Sequence, residues 1–253
     1  MTITFLGTGT SQGVPVIGCD CAVCRSVDFR DKRLRVSVHI EVAGRSFVID
    51  TGPDFRQQML RARIRQLDAI LFTHEHKDHT AGLDDVRSYN FLQGHDMPVY
   101  ARPSVLQQLQ REFAYVFAEK KYPGVPRLQL HEIRNAPFTV EGVPVTPIEV
   151  MHLRLPVYGF RFGDFTYITD ANHIEEAELE KVRGTKVLVL NALQQSAHPS
   201  HFTLAEALQI VERIQPEQAY FTHLSHKMGL HREVEAHLPK HVRLAFDGLR
   251  VEV

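Results

Sequence analysis

Residues 69–79 read Ala-Ile-Leu-Phe-Thr-His-Glu-His-Lys-Asp-His, an apolar run that stops in four groups able to hold a metal, His74, His76, Asp78 and His79. The run Ala69 to Phe72 predicts a short buried strand, and a strand end is a rigid base for ligands. Neutral imidazole and carboxylate are the donors that borderline divalent ions accept. Histidines at i and i+2 reach one ion while the chain stays extended. Asp78 and His79 sit further round the turn and suit a second ion, so two neighbouring sites are implied. The alternative is a polar loop with its histidines in solvent, and ligand density behind a buried strand argues against it.

Around this stretch the 253 residues are 43% apolar and 23% charged, which is ordinary globular usage and leaves room for a sizeable core. The formal net charge of −1 argues against a field that draws the chain onto nucleic acid or an anionic membrane. No apolar stretch approaches the roughly 20 residues of a membrane span. The first residues lack the basic region and apolar core of a signal peptide, so a cytoplasmic location is expected. Fifteen histidines, no tryptophan and three crowded cysteines point instead to metal chemistry.

β-Branched and aromatic runs predict strands at Ile3–Leu6, Val36–Val42, Phe47–Ile49, Ala69–Phe72, Val145–Val150, Phe165–Ile168, Val187–Leu190, Ala219–Phe221, Val242–Phe246 and Leu249–Val253. Helical spacing occupies Phe55–Ile64, Ser104–Phe117 and Thr203–Ile214, the last opened by a Thr203/Glu206 capping box. Strands come in consecutive groups, so mixed sheets covered by helices fit better than a doubly wound parallel sheet. Asp247-Gly248 reads as the turn of a terminal hairpin. No linker or repeat divides the chain, and residues 1–253 are expected to form one domain. Tyr115–Asn135 is the least regular stretch, either a lid or a solvated connection.

The run THEHKDH resembles the HxHxDH signature of the metallo-β-lactamase superfamily. Asp50-Thr51-Gly52, His152, Asp170 and Phe221-Thr222-His223 follow in the order of that family's motifs. The resemblance runs the length of the chain and implies the α/β (α+β) class, as a four-layer αββα sandwich with mixed sheets. It also implies that His74, His76 and His152 hold one ion, that Asp78, His79 and His223 hold another, that Asp170 bridges them, and that Asp50 orders the site from behind. A pair of divalent ions, zinc or manganese, lowers the pKa of a shared water and neutralises charge on the attacking and departing oxygens. Fold alone does not choose the substrate, because the superfamily hosts many reactions.

Cys19, Cys21 and Cys24 lie too close together for a relaxed disulfide and are odd in number. Three thiolates want a fourth ligand, and a Cys3His set is a closed structural zinc site. His226, three residues beyond His223, is the expected partner, with His231 in reserve. Reduced thiols or a redox sensor are the alternatives.

With the run GTGTSQGVPVIGCDCAVC and His223-Leu224-Ser225-His226, the chain resembles the PhnP family of cyclic phosphodiesterases; the knuckle also resembles the PqqB accessory proteins. The glycines Gly7 to Gly13 are expected to shape a turn more than to cradle phosphate. The PhnP resemblance implies a structural zinc in the knuckle. It also implies a phosphoric diester hydrolase that cleaves small phosphodiesters, cyclic ribose phosphates among them, through a metal-bridging hydroxide. Asp78 and His201 are taken as catalytic residues, His201 as general acid to the leaving oxygen, with His198 as its rival. A small phosphodiester is the expected partner, without stable nucleic acid or membrane, and a homodimer is implied by resemblance. The alternatives are a tRNA 3'-end endonuclease and a PqqB-like accessory protein.

Overall fold

Alternate residues of β1 (Thr2–Gly7), β2 (Ser37–Val42) and β3 (Arg45–Ile49) lie in one buried cluster: Ile3 and Phe5, Val38 and Ile40, Phe47 and Ile49. A pleated strand imposes this period of two by turning successive side chains to opposite faces. The computed structural model describes residues 1–253 and continues this sheet with β4 (Ala69–Leu71), β5 (Met97–Ala101) and β6 (Leu128–Glu132). A second sheet takes β7 (Phe138–Val140), β8 (Val143–His152), β9 (Leu155–Phe162), β10 (Phe165–Ile168), β11 (Val187–Asn191), β12 (Gln218–Thr222) and β13 (Val242–Leu244). The last strand, β14 (Arg250–Glu252), returns to the first. The orders are β14-β1-β2-β3-β4-β5-β6 and β13-β12-β11-β10-β9-β8-β7. Both sheets are mixed as expected, antiparallel from β14 to β3 and from β7 to β10, parallel from β3 to β6 and from β10 to β13.

Three apolar clusters glue four layers together. One lies between the sheets and includes Phe47, Phe160, Phe165 and Tyr167. A second joins the first sheet to the helices Phe55–Ala62, Arg87–Gln93 and Pro103–Glu112. The third joins the second sheet to Glu176–Val182 and Leu204–Ile214. This is the αββα sandwich of a metallo-β-lactamase-like fold. The capping box forms as its residues predict: Thr203 Oγ1 accepts from Glu206 N at 3.2 Å, and Glu206 Oε2 accepts from Thr203 N at 2.8 Å. The run expected as one helix to Phe117 is two, Pro103–Glu112 and Ala114–Phe117, broken where Phe113 leaves helical geometry at φ −108° and ψ 40°.

Asp247 and Gly248 do not close a hairpin. β13 pairs with β12 and β14 with β1, so the chain changes sheets at this point. The Asp247 carboxylate turns inward and accepts from Thr8 Oγ1 and from Leu34 N, both at 2.8 Å, which ties the crossing to the first sheet. Within Tyr115–Asn135, β6 adds to the sheet beside β5, and 118–127 and 133–135 remain connections that are mostly exposed.

The ends of β3, β4, β8, β10 and β12 all reach the residues singled out above. Opening a void between the sheets should weaken the platform that aligns them. Phe47 is fully buried and stacks on Phe162 at 6.1 Å. Phe47→Ala is therefore expected to cost about 3–5 kcal/mol in denaturant unfolding, and a loss below about 1 kcal/mol would contradict this packing.

Candidate metal centre

Asp50, Asp170 and His223 stand just past β3, β10 and β12 with φ of 65°, 57° and 55°, and Leu153, next to His152, has φ 59°. Non-glycine residues enter this left-handed region at a cost, and such outliers gather at functional sites. Here they turn three side chains from three strands toward one cleft. The carboxyl ends of strands are where open α/β sheets place their ligands.

Asp50 lies fully buried beneath that cleft. Its Oδ1 accepts from Thr73 N at 2.9 Å, and its Oδ2 accepts from Thr73 Oγ1 at 2.8 Å and from His79 Nδ1 at 2.7 Å. His79 must then carry its proton on Nδ1, which leaves the Nε2 lone pair for the cleft. His152 is set the same way, its Nδ1 donating to Ser200 O at 2.8 Å. Thr73 Oγ1, already donating to Asp50, accepts from His74 Nδ1 at 3.0 Å and frees His74 Nε2. Thr73 and Ser200 carry no motif of their own, and only adjacency to His74 and His201 in sequence hints at these roles.

The free atoms converge. His74, His76 and His152 offer one set of donor atoms lying within 4.8 Å of one another; Asp78, His79, Asp170 and His223 offer another. His74 Nε2 and His76 Nδ1 are 3.0 Å apart. His79 Nε2 lies 3.3 Å from both Asp78 Oδ2 and Asp170 Oδ2, and His223 Nε2 lies 3.2 Å from Asp170 Oδ1. Yet His79 Nε2 and both ring nitrogens of His223 are buried without a hydrogen-bond partner. Buried polar atoms left unpaired are costly, and oriented lone pairs among carboxylates are what a divalent ion satisfies. The residues present therefore fit a pair of ions.

The electrostatics agree. Burial opposes charge on His79, but Asp78, Asp170 and Asp50 outweigh it and hold its pKa well above the ordinary value. Burial likewise opposes charge on Asp170, and His223 and His79 overcome it, keeping that carboxyl well below the usual range. Burial alone dominates at His74, whose pKa falls well below normal, and at Asp50, whose pKa rises. A cleft that keeps Asp170 ionised is a cleft that attracts cations.

His201 is also brought to this place. Its Nδ1 is 3.8 Å from Asp170 Oδ1, and its ring stacks on His223 at 4.7 Å. Burial, then the neighbouring His223, pushes its pKa down to about 3. His198, more exposed, sits 5.2 Å from His201 ring to ring.

The cysteines meet the expected histidine. Cys19, Cys21 and Cys24 place their Sγ atoms 3.2, 3.5 and 3.5 Å from His226 Nδ1. Cys21 caps the short helix Ala22–Arg25, and the Cys24 N–H it accepts draws its thiol down to about 6, whereas burial pushes Cys24 up to about 11. Three sulfurs around one imidazole nitrogen match a closed Cys3His site. His231 lies elsewhere, buried with its Nδ1 3.1 Å from the Arg33 guanidinium, so it is not a reserve ligand. Gly7 fills a structural place, since a Cβ there would lie 1.9 Å from Arg35 O. Gly52 is as tight: its Cβ would meet Asp78 O at 2.1 Å.

Residues 45–224 match the family described as the Beta-lactamase superfamily domain. The crystal structure of a new diphosphatase from the PhnP family is 41% identical, with a TM-score of 0.93, and is covered over 100% of this chain and 97% of its own. An octanoyltransferase of Porphyromonas gingivalis is 42% identical over 252 residues, which are 98% of this chain and 51% of that protein. A ribonuclease Z of Nostoc punctiforme is 27% identical over 168 residues, 65% of this chain and 47% of that protein. The chain thus spans about half the length of these curated relatives.

Two substitutions separate the centres. Cys21→Ser should remove one equivalent of zinc by elemental analysis and lower the melting temperature, because a closed metal site contributes folding free energy; unchanged zinc would rule out the knuckle. Gly52→Ala should shift the Asp78 main chain and reduce metal binding in the cleft while leaving the cysteine-bound zinc. Full retention of all metal in that variant would show the close approach to be dispensable.

Proposed function

Because the chain belongs to the metallo-β-lactamase superfamily, we propose that its histidine-carboxylate cleft is the active site of a metal-dependent phosphodiesterase acting on small phosphate diesters. The observation that carries this reading is the shared Asp170, which faces His79 with one oxygen and His223 and His201 with the other. His74, His76 and His152 would hold one divalent ion, Asp78, His79 and His223 the second, with Asp170 between them. Bound there, zinc or manganese supplies Lewis acidity and a water of lowered pKa.

The protein's own groups do the rest. Asp50 and Ser200 O accept from Nδ1 of His79 and His152, so Nε2 of each is the nitrogen left for a ligand, and the second proton that the surrounding carboxylates favour on His79 would have to leave before an ion binds. The departing alkoxide needs a proton, and we assign that role to His201, whose ring lies beside Asp170 and His223. Burial and the neighbouring His223 hold His201 down to about 3, and the negative charge of a phosphate beside it would favour the imidazolium that a general acid requires.

A diphosphatase relative alike along its whole length supports phosphoryl chemistry. The name octanoyltransferase belongs to a protein twice as long, and acyl transfer is not assigned to this chain. The ribonuclease Z relative favours a second reading, cleavage at the 3' end of tRNA. Against it stands the net charge of −1, since polyanion binding rests on many phosphate contacts.

Bis(p-nitrophenyl) phosphate should be hydrolysed faster than p-nitrophenyl phosphate; the reverse order, or salt-sensitive tRNA binding with 3' cleavage, would overturn the reading. His201→Ala should retain its metals yet lose on the order of 10²-fold in rate on a cyclic ribose phosphate, with a much smaller loss on the nitrophenyl diester, whose leaving group needs little protonation. Equal losses on the two substrates would remove the general-acid role.

A further inference from the structure

The outer face of the first sheet is only partly covered by helix. Beside the helix Phe55–Ala62, the register sets Arg250, Thr4 and His39 side by side across β14, β1 and β2, and Thr2, Glu41 and Ser46 in the next row across β1, β2 and β3. These six residues line a cavity of about 780 Å³. Arg45, Arg61, Arg63 and Arg65 line it too. The cavity takes the opening residues of β3, whereas the metal centre takes Asp50 beyond its end. Four residue steps along the strand put the two sites about 13 Å apart or more.

The charge is lopsided in a protein whose net charge is −1. Five guanidiniums line the cavity, and Glu41 is its sole carboxylate. Arg45 pairs with Asp68 at 3.4 Å, Arg61 with Asp247 at 3.3 Å, and Arg250 with Glu41 at 3.5 Å. Taking these three pairs from five leaves Arg63 and Arg65, exposed and two residues apart, with no carboxylate within 4.0 Å. The floor is polar and rigid. The buried His39 donates from Nε2 to Ser46 Oγ at 2.7 Å, which in turn donates to Gln66 O at 2.6 Å. Burial and the Arg250 charge hold this histidine down to about 4, so it is neutral and the arginines set the field.

We propose that this cavity binds an anion carrying at least two phosphoryl groups, at a site separate from the metal centre. Guanidinium forks match phosphate oxygens bidentately, and the volume falls within the range of small-molecule sites. Two unpaired guanidiniums and two loosely paired ones on exposed strand ends, lining one cavity, suit an extended, multiply charged anion better than a single phosphate. Thr4 adds a hydroxyl on the floor, while the Thr2 hydroxyl at the rim is already donated to the Glu252 carboxylate.

Calorimetry of the metal-loaded protein at low salt tests this, with methylenediphosphonate and α,β-methylene-ADP as probes because neither has a P–O–P bond to cleave at those positions. Orthophosphate serves as the single-phosphate control. Both diphosphonates should bind more tightly than orthophosphate, and a preference between them tells whether the natural anion is inorganic or a nucleotide. In R63Q/R65Q the diphosphonate affinity should fall at least about tenfold, with melting temperature and bis(p-nitrophenyl) phosphate hydrolysis unchanged. Unchanged affinity in that variant would overturn the proposal, as would a binding midpoint that coincides with inhibition of hydrolysis and ignores the substitutions. Binding of oligonucleotides alone, with no response to either diphosphonate, would also overturn it and mark the face as a nucleic-acid surface.

Discussion

The buried Asp50 carboxylate accepts hydrogen bonds from Thr73 N, Thr73 Oγ1 and His79 Nδ1, and the cleft depends on where those three donors are held. Through Thr73 it reaches back to His74, and through His79 it reaches forward to Asp78 and Asp170. One carboxylate thus ties the strand end β3 to the loop after β4 and fixes which ring nitrogens are free. Burial penalises its charge and raises its pKa, and the hydrogen bonds from Thr73 and the charge of His79 offset only part of that penalty. The close approach of Gly52 to Asp78 O and the bond from Thr51 N to His79 O at 2.8 Å hold the same two loops in register.

The knuckle and the cleft share a short piece of chain. His223 points into the cleft and His226 into the cysteines, and Leu224 between them exchanges backbone hydrogen bonds with the N-terminal loop, Leu224 N to Thr8 O at 2.9 Å and Thr10 N to Leu224 O at 3.1 Å. Lys32 Nζ adds a bond to Cys24 O at 2.9 Å. A metal held by the knuckle would therefore brace the segment that presents His223. Such a brace would link the three cysteines near the N-terminus to a histidine far along the sequence.

Much of this was legible in the chain because chemistry and strand ends coincide. His74 to His79 follow a short apolar run directly, and the period of two in β1 to β3 marks the inward face without help from tertiary structure. Other features were hidden for identifiable reasons. β9 carries Pro156 and Gly159, which read as breakers, yet Gly159 is needed because a Cβ there would sit 2.8 Å from Ile168 Cγ1. β5 is five residues with Pro98 inside it, too short and interrupted for pattern alone. Asp-Gly before an apolar run is a strong hairpin signal, and only the buried contacts of Asp247 with Thr8 and Leu34 show that the chain is changing sheets. The arginine cavity is assembled from residues within 1–6, 39–46, 61–66 and 248–250, so no local window contains it.

The central claim is that the orphaned nitrogens of His79 and His223 exist to meet ions on either side of Asp170. Anomalous diffraction at the zinc edge, from crystals of the intact protein grown with zinc, tests it most directly. The account predicts two peaks flanking the Asp170 carboxylate, separated by about 3.5–4 Å, and a third inside the Cys19, Cys21, Cys24 and His226 set. A cleft without anomalous density at full occupancy of the knuckle, or a single ion bound away from Asp170, would contradict it.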